Sequence, residues 1–238
     1  EKVVPDGLRD IDYVRANKLY GRQLGIWWNY PVSDYLEAKL ALGPVEKLPA
    51  LSEIPAIFYN PMKHAELSKI SLATGAEYAL NPGKYNAEKA WHKAIKAQYG
   101  SLAADMEAFA DQSQHMVVSW AVIGPEDGAA LRRQMNAYWQ DSSNGEKLMA
   151  DLSKLDQSIV KLQAELPQNI LKECQPQLKQ LQRIVRADML GIQVLADKQA
   201  KTDFIKAAAE VKAHDKEAKI SETAARAFMD ELYTHMND

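Results

Sequence analysis

The sequence has 238 residues, is 47% apolar and carries a formal net charge of −3. That length and apolar content support one large or two ordinary packed domains, and the near balance of charge argues against nucleic-acid binding through a basic surface. No apolar run approaches the roughly 18 residues that a membrane span needs, and a single cysteine, Cys174, leaves no internal disulfide to form.

Leu24 to Trp28 reads as a short buried strand, apolar and rich in aromatic residues. Asn29 and Asp34 come just past its end, with Pro31 breaking the pairing between them. In α/β sheets and barrels, ligand-binding side chains sit at the carboxyl ends of strands. Two tryptophans beside an amide and a carboxylate suit a sugar: the aromatic face packs on the C–H surface of the ring, and Asn and Asp take up its hydroxyls. The same run has a plainer reading. Trp27 and Trp28 serve as core, and Asp34-Tyr-Leu-Glu37 has the spacing of a capping box.

The pattern repeats. Ala56 to Tyr59 is a second apolar strand, and Asn60-Pro61 then suits a helix start, with Asn60 as N-cap and Pro61 as first helical residue. The helix is expected over Met62 to Thr74, closed by Gly75. Ala76 to Leu80 reads as a third strand, followed by Asn81-Pro82 and a helix from about Ala87 to Tyr99. Three strand–turn–helix units in a row predict parallel strands centred on Ile26, Ile57 and Tyr78, adjacent in that order. Seven of the ten prolines lie at or before Pro82, and the remainder is rich in Ala, Leu, Lys, Glu and Gln, as helices prefer. The boundary is therefore placed near Tyr99-Gly100, giving an α/β portion over 1–99 and an all-α portion over 100–238.

From Ser101 onward the period is helical. Leu102, Met106 and Phe109 form one stripe, and Pro125 is expected to open a helix carrying Leu131, Met135, Tyr138 and Trp139. Leu148, Leu152, Leu155, Ile159, Leu162 and Leu166 alternate spacings of four and three, an a/d seam. Leu178, Leu181, Val185, Ile192 and Leu195 make a second long stripe after Pro176, with Gly191 inside it marking a kink or a close approach. Phe204, Ala208 and Val211 continue on a shorter helix, and Ser221 precedes the last one, which turns Ala224, Phe228, Leu232 and Met236 inward. Long amphipathic helices with short breaks predict an antiparallel bundle. Cys174 falls in an expected helix break between Pro167 and Pro176 and reads as a packed thiol.

The five histidines (His64, His92, His115, His214 and His235) have no metal-ligand spacing, so no metal ligands are assigned. Neither a Gly-x-Gly-x-x-Gly run nor a Gly-x-Ser-x-Gly elbow is present. No cofactor is expected.

Several of these stretches together resemble glycoside hydrolase family 84, the β-N-acetylglucosaminidases that include hyaluronidase-like enzymes and O-GlcNAcases. The matching residues are Trp27-Trp-Asn-Tyr-Pro-Val-Ser-Asp-Tyr35, Lys39-Leu-Ala-Leu-Gly-Pro44, Asn60-Pro-Met62, His64-Ala-Glu-Leu-Ser-Lys-Ile70 and Lys89-Ala-Trp91. The tryptophan–asparagine–proline–aspartate run and the Asn-Pro-Met turn are specific in combination. The resemblance extends over nearly the whole chain, though the helical part carries no sharp motif.

The resemblance implies a partial (β/α)8 barrel, its last three strand–helix units, followed by an α-helical bundle. It also implies a retaining, substrate-assisted reaction on β-linked N-acetylglucosamine, run by two consecutive aspartates at the end of an earlier strand. No Asp-Asp pair occurs in this sequence. Glu1-Lys-Val-Val-Pro-Asp-Gly7 looks like the segment just after the family's fifth strand, so no catalytic residue is assigned here and the pair is expected upstream. The chain would supply the sugar-holding half: Asp34 accepting from sugar hydroxyls, Asn29 and Asn60 donating and accepting, Trp27 walling the acetamido pocket, Tyr30 and Val32 supporting. His64 reads as part of a helix start. The expected partners are a β-linked N-acetylglucosamine glycan or glycoprotein, the amino-terminal part of the barrel and a possible second copy of the chain, with no nucleic acid and no membrane. The compartment is open, with a secreted or cell-surface bacterial enzyme favoured. The rival reading is a non-catalytic helical module for scaffolding or dimerisation, or a sugar-binding remnant.

Overall fold

Asp10 and Asp12 at one end and Gly21 at the other mark out the first helix, α1 (Asp10–Tyr20). Acidic residues in the first turn suit the positive end of the helix dipole, and Gly21, at φ +64°, takes the left-handed turn that ends it. Tyr13 is its one buried residue, donating its hydroxyl to the Leu24 carbonyl at 2.6 Å. Ile11, Val14 and Leu19 point to solvent, so the helix lacks an apolar stripe and left no periodic signal in the sequence. The protein is described here from a computed structural model covering residues 7–51, 54–114, 116–118, 121–123, 126–197 and 199–237, with 117–118 and 121–123 given by backbone alone. Residues 1–6, His115 and Pro125, which enter the expectations above, lie outside the described residues.

The chain divides into two compact units, neither continuous in sequence. One comprises residues 1–37, 41–103 and 114–125, the other 38–40, 104–113 and 126–238.

In the first unit, β1 (Ile26–Trp28) and β2 (Ile57–Tyr59) pair in parallel, with Ile26 opposite Ile57, Trp27 opposite Phe58 and Trp28 opposite Tyr59. Parallel pairing of these two is what the repeated strand–turn pattern predicts. Ile26 and Trp28 are buried and Trp27 is exposed, the alternation of a pleated strand with one covered face. The helix that follows, α2, runs over Ala65–Leu80, with His64 rather than Asn60 as its N-cap. Two expectations fail here. Gly75 does not close the helix: it lies inside α2 because the Tyr59 ring rests on it. A Cβ at 75 would come within 2.7 Å of that ring, and the Tyr59 hydroxyl donates to the Gly75 carbonyl at 2.8 Å. The third strand expected at Ala76–Leu80 is the last part of α2 instead. Ala, Glu and Leu are strong helix formers, Tyr78 is buried while Leu80 is 87% exposed, and the helix stops at Asn81, where the following Pro82 disfavours helical backbone. Among the described residues the unit therefore holds two parallel strands of the expected three, and of the two only β2 leads directly into a helix.

α3 (Ala87–Tyr99) falls where its pattern placed it. The Asn86 side chain caps it by accepting from the Lys89 N–H, and Ala90, Trp91, Ala94, Ile95 and Tyr99 form the buried face. The Trp91 indole N–H donates to the Leu42 carbonyl at 2.7 Å, tying α3 to the loop after β1. Two further strands, β3 (Met116–Val118) and β4 (Ala121–Ile123), pair antiparallel. This hairpin corrects the expectation of unbroken helical period after Ser101. The segment is rich in β-branched residues, Val117, Val118, Val122 and Ile123, which favour strand.

The second unit is helical: α4 (Ala103–Asp111), α5 (Ala129–Gln140), α6 (Gly145–Glu165), α7 (Gln168–Leu195), α8 (Lys201–Ala213) and α9 (Ala225–His235). In α6 the expected seam is buried at Leu148, Leu152, Leu155, Ile159 and Leu162, and it packs on α7 across a two-residue connection. α7 runs straight through Pro176, so Cys174 is not in a break. Its thiol is buried and faces the Ile170 carbonyl, and burial raises its pKa to about 12, which keeps it unreactive at neutral pH. Gly191 is a close approach: a Cβ there would lie 2.8 Å from Leu232 Cδ1 and 3.1 Å from the Phe204 ring.

α7 also buries Asp188 completely, with neither carboxylate oxygen hydrogen-bonded among the described residues. Burial drives its pKa well up; Arg226 opposes this, and Glu231 and Asp230 add to the rise. A carboxyl whose folded-state pKa lies above its unfolded value penalises the fold increasingly as pH rises between the two, and not at all below the unfolded value. Asp188→Asn is therefore expected to stabilise the protein by about 1–3 kcal/mol at pH 7. Urea unfolding of both proteins from pH 3 to pH 8 checks this: the gap should open as pH rises and vanish near the lower limit.

Candidate functional site

The residues singled out in the sequence sit where β1 and β2 end. Trp28 and Asn60 are tied by backbone: the Asn60 N–H donates to the Trp28 carbonyl at 3.1 Å, and the Val32 N–H donates to the Asn60 carbonyl at 2.8 Å. These bonds carry the parallel pairing one step past the strands and set Asn29 beside Asn60. The side chains then join. The Trp27 indole N–H donates to Asn29 Oδ1 at 2.7 Å, and Asn60 Nδ2 donates to the same oxygen at 3.3 Å. Three of the four sequence-derived site residues thus form one hydrogen-bonded cluster.

The cluster lies on an open face. Trp27 is 68% exposed and Phe58, its register partner, 57%. Their rings stack with centroids 6.3 Å apart and planes 24° apart. Trp28 is buried, so the two tryptophans divide the two roles between them: Trp28 is core and Trp27 is surface.

Asp34 stands apart from the cluster. It lies exposed on the turn after the strand, and its carboxylate makes no hydrogen bond or ion pair among the described residues. No helix begins there, so the capping-box spacing of Asp34 and Glu37 is not used; Glu37 pairs with Lys63 at 2.8 Å instead. Burial raises the Tyr35 phenol to about 12, with the neighbouring Asp34 charge adding to it. Tyr30 and Val32 are buried beneath the loop, as supports. His64 precedes α2 and accepts from the Ser68 hydroxyl through its carbonyl at 2.8 Å, a helix-start role.

Sequence reasoning missed Lys39. Its ammonium is fully buried in the second unit, 2.7 Å from Asp127, also fully buried, and 3.0 Å from Glu222. Burial pushes Glu222 up, but Lys39 and Lys219 outweigh it and the net shift is downward. The carbonyls beside Lys39 are held as well, Ala38 by Gln177 Nε2 and the Lys219 N–H, and Leu40 by the Ser113 hydroxyl. A lysine among apolar residues in Lys39-Leu-Ala-Leu-Gly-Pro44 was the available signal, since a buried lysine needs a paired charge. Among the described residues no group of three His, Cys, Asp or Glu side chains is arranged to hold a metal ion, and no helix is long and apolar enough to cross a membrane.

Residues 1–111 match the family model of β-N-acetylglucosaminidase, and residues 130–229 match that of the hyaluronidase post-catalytic domain-like family. The two matches lie one after the other along the chain, each over a little less than half of it, and support its resemblance to glycoside hydrolase family 84. Among solved structures it is similar to CpGH84B, at 27% identity and a TM-score of 0.83 over 97% of this chain and 43% of that one. It is also similar to a point mutant of the Thermobaculum terrenum O-GlcNAc hydrolase, at 20% identity and a TM-score of 0.79 over 97% of this chain and 52% of that one. CpGH84D shares 16% identity at a TM-score of 0.79, over 95% of this chain and 42% of that one. At these two lower identities the likeness shows the fold. The chain spans about half the length, or less, of the structures it matches.

Proposed function

We propose that this chain is the carboxyl-terminal part of a retaining β-N-acetylglucosaminidase and supplies the sugar-holding half of its active site. The observation that carries the reading is the cluster of Trp27, Asn29 and Asn60 at the carboxyl ends of two parallel strands, where α/β enzymes gather ligand groups. Stacked aromatic rings next to amides, with an uncommitted carboxylate on the following turn, offer what a pyranose needs: an apolar wall and hydrogen-bonding groups for its hydroxyls. The matched family and the greater length of the related structures support placing the remaining strands of a barrel, and with them the acid–base machinery, in sequence upstream of these residues.

On this reading the reaction is substrate-assisted. The 2-acetamido oxygen of the sugar attacks its own anomeric carbon, the glycosidic bond breaks and an oxazoline forms. One upstream aspartate orients the acetamide. The other protonates the departing oxygen and then takes a proton from the water that opens the oxazoline. Asp34 and the two asparagines hold the ring hydroxyls throughout. The ligand is a terminal β-linked N-acetylglucosamine on a glycan or glycoprotein.

The chain alone is expected to turn over no aryl β-N-acetylglucosaminide, whereas the full-length protein does. A fluorogenic assay of both decides this: turnover by the repurified chain itself would overturn the division of labour proposed here.

A further inference from the structure

Trp27 is placed for a second task besides walling a pocket. Its indole N–H is a donor and nothing else, and it points at Asn29 from 2.7 Å. The two ends of a side-chain amide are distinguished by their partners. The atom of Asn29 facing the indole has to be oxygen, because an NH2 there would set donor against donor. That oxygen also receives Asn60 Nδ2 at 3.3 Å, and the same logic then fixes Asn60: the end turned to Asn29 has to be nitrogen, which leaves Oδ1 as the end turned elsewhere. One donor-only group thereby favours one direction for two amides in series. The ring is itself held, stacked on Phe58 with a 24° interplanar angle, while 68% of the residue remains open to solvent. A tryptophan this exposed adds little to the core.

We propose that Trp27 is a positioning residue whose indole N–H locks the orientation of Asn29 and, through it, of Asn60, so that the Asn60 acceptor selects a sugar hydroxyl able to donate. This rests on the sugar-binding reading given above and deepens it: the site discriminates by hydrogen-bond polarity as well as by shape. A hydroxyl can donate to Asn60 Oδ1, but a fluorine in the same place cannot. It meets a lone pair, and a site built to bond a hydroxyl strongly rejects an analogue that lacks one.

The test uses the full-length enzyme with aryl β-N-acetylglucosaminide and its 3-, 4- and 6-deoxyfluoro analogues. Four variants are compared: Trp27→Phe, Asn29→Ala, Asn60→Ala and the Trp27→Phe/Asn29→Ala double variant. Trp27→Phe keeps the stacked ring and removes only the donor, so its Tm should match that of the parent. Its kcat/KM should fall about 10-fold. The double variant should be no worse than Asn29→Ala, because the indole acts through that amide. At one ring position the parent should prefer hydroxyl over fluorine by at least ~10-fold, and Trp27→Phe should reduce that preference to within ~3-fold, because the indole then no longer helps to orient the two amides. A neutral Trp27→Phe, effects that multiply in the double variant, or an unchanged fluorine preference would overturn the positioning role while Asn29→Ala and Asn60→Ala still lose activity. If those two alanine variants keep full activity, the sugar-binding reading itself falls, and this proposal with it.

Discussion

Replacing Asp34 with Asn in the full-length enzyme is expected to lower kcat/KM by at least ~10-fold, about 1.4 kcal/mol of transition-state binding, with Tm unchanged. Asn keeps an acceptor oxygen but loses the charge that strengthens a hydrogen bond from a sugar hydroxyl. Asp34→Ala removes the acceptor too and is expected to cost more, at ~1.5–3 kcal/mol per charged hydrogen bond lost. The structure sharpens this pair. Had Asp34 capped a helix, Ala would also reduce stability and Asn would be harmless, since Asn caps as well as Asp. Asp34 instead lies exposed on a turn and starts no helix, so neither variant should shift Tm. Steady-state kinetics alongside thermal melts separate the two roles. Normal activity in the Asn variant would return Asp34 to an ordinary surface residue.

Lys39→Ala is expected to carry the largest stability effect in the chain, a loss of about 3–5 kcal/mol at pH 7. Removing the ammonium takes the cation from the Asp127 carboxylate, which is fully buried 2.7 Å from it, and strips Glu222 of its nearer cation. Most of the loss is the cost of burying a carboxylate without its cation, so it depends on pH. Protonation of Asp127 removes that charge, so the deficit shrinks as the solution is acidified toward the ordinary carboxylate range. Lys39→Met/Asp127→Leu should recover much of the loss, because replacing both members of a buried pair costs far less than breaking it. Urea midpoints for the parent, Lys39→Met, Asp127→Leu and their double variant close the cycle, with Lys39→Ala measured beside them. A Lys39→Ala variant as stable as the parent would show that the triad contributes nothing.

What the sequence disclosed, and what it hid, follow from the kind of signal each feature leaves. The α6 seam and the buried face of α3 were legible because a helix packed on one side repeats its apolar residues at helical spacing. The parallel pair at Ile26 and Ile57 was legible from two apolar runs of strand length, each ending in Asn and Pro. Ala76–Leu80 misled because five mostly apolar residues fit strand and helix equally, and only the preceding turns of α2 decide between them. Gly75 read as a terminator because its real partner, the Tyr59 ring, is distant in sequence. α1 was silent for want of an apolar stripe, and the β3–β4 hairpin was hidden between two helical stretches.

The site divides the same way. Asn29 and Asn60 were singled out by position just past the strands and Trp27 by its place within β1, and the structure brings the three into one hydrogen-bonded cluster. That Trp28 is core and Trp27 surface could not be told until the pleat was fixed, because a one-residue shift exchanges the two faces. Lys39 was quoted within a matching motif and given no role, since its partners Asp127 and Glu222 lie 88 and 183 residues away along the chain.

The central claim is that the ends of β1 and β2 hold a sugar. The most direct measurement is the calorimetric affinity of the full-length enzyme for a stable thiazoline analogue of the oxazoline, with and without the paired change Asp34→Asn/Asn60→Ala. The expected drop is at least ~100-fold, about 2.7 kcal/mol, with the melting temperature preserved. An affinity unchanged by the double substitution would contradict it.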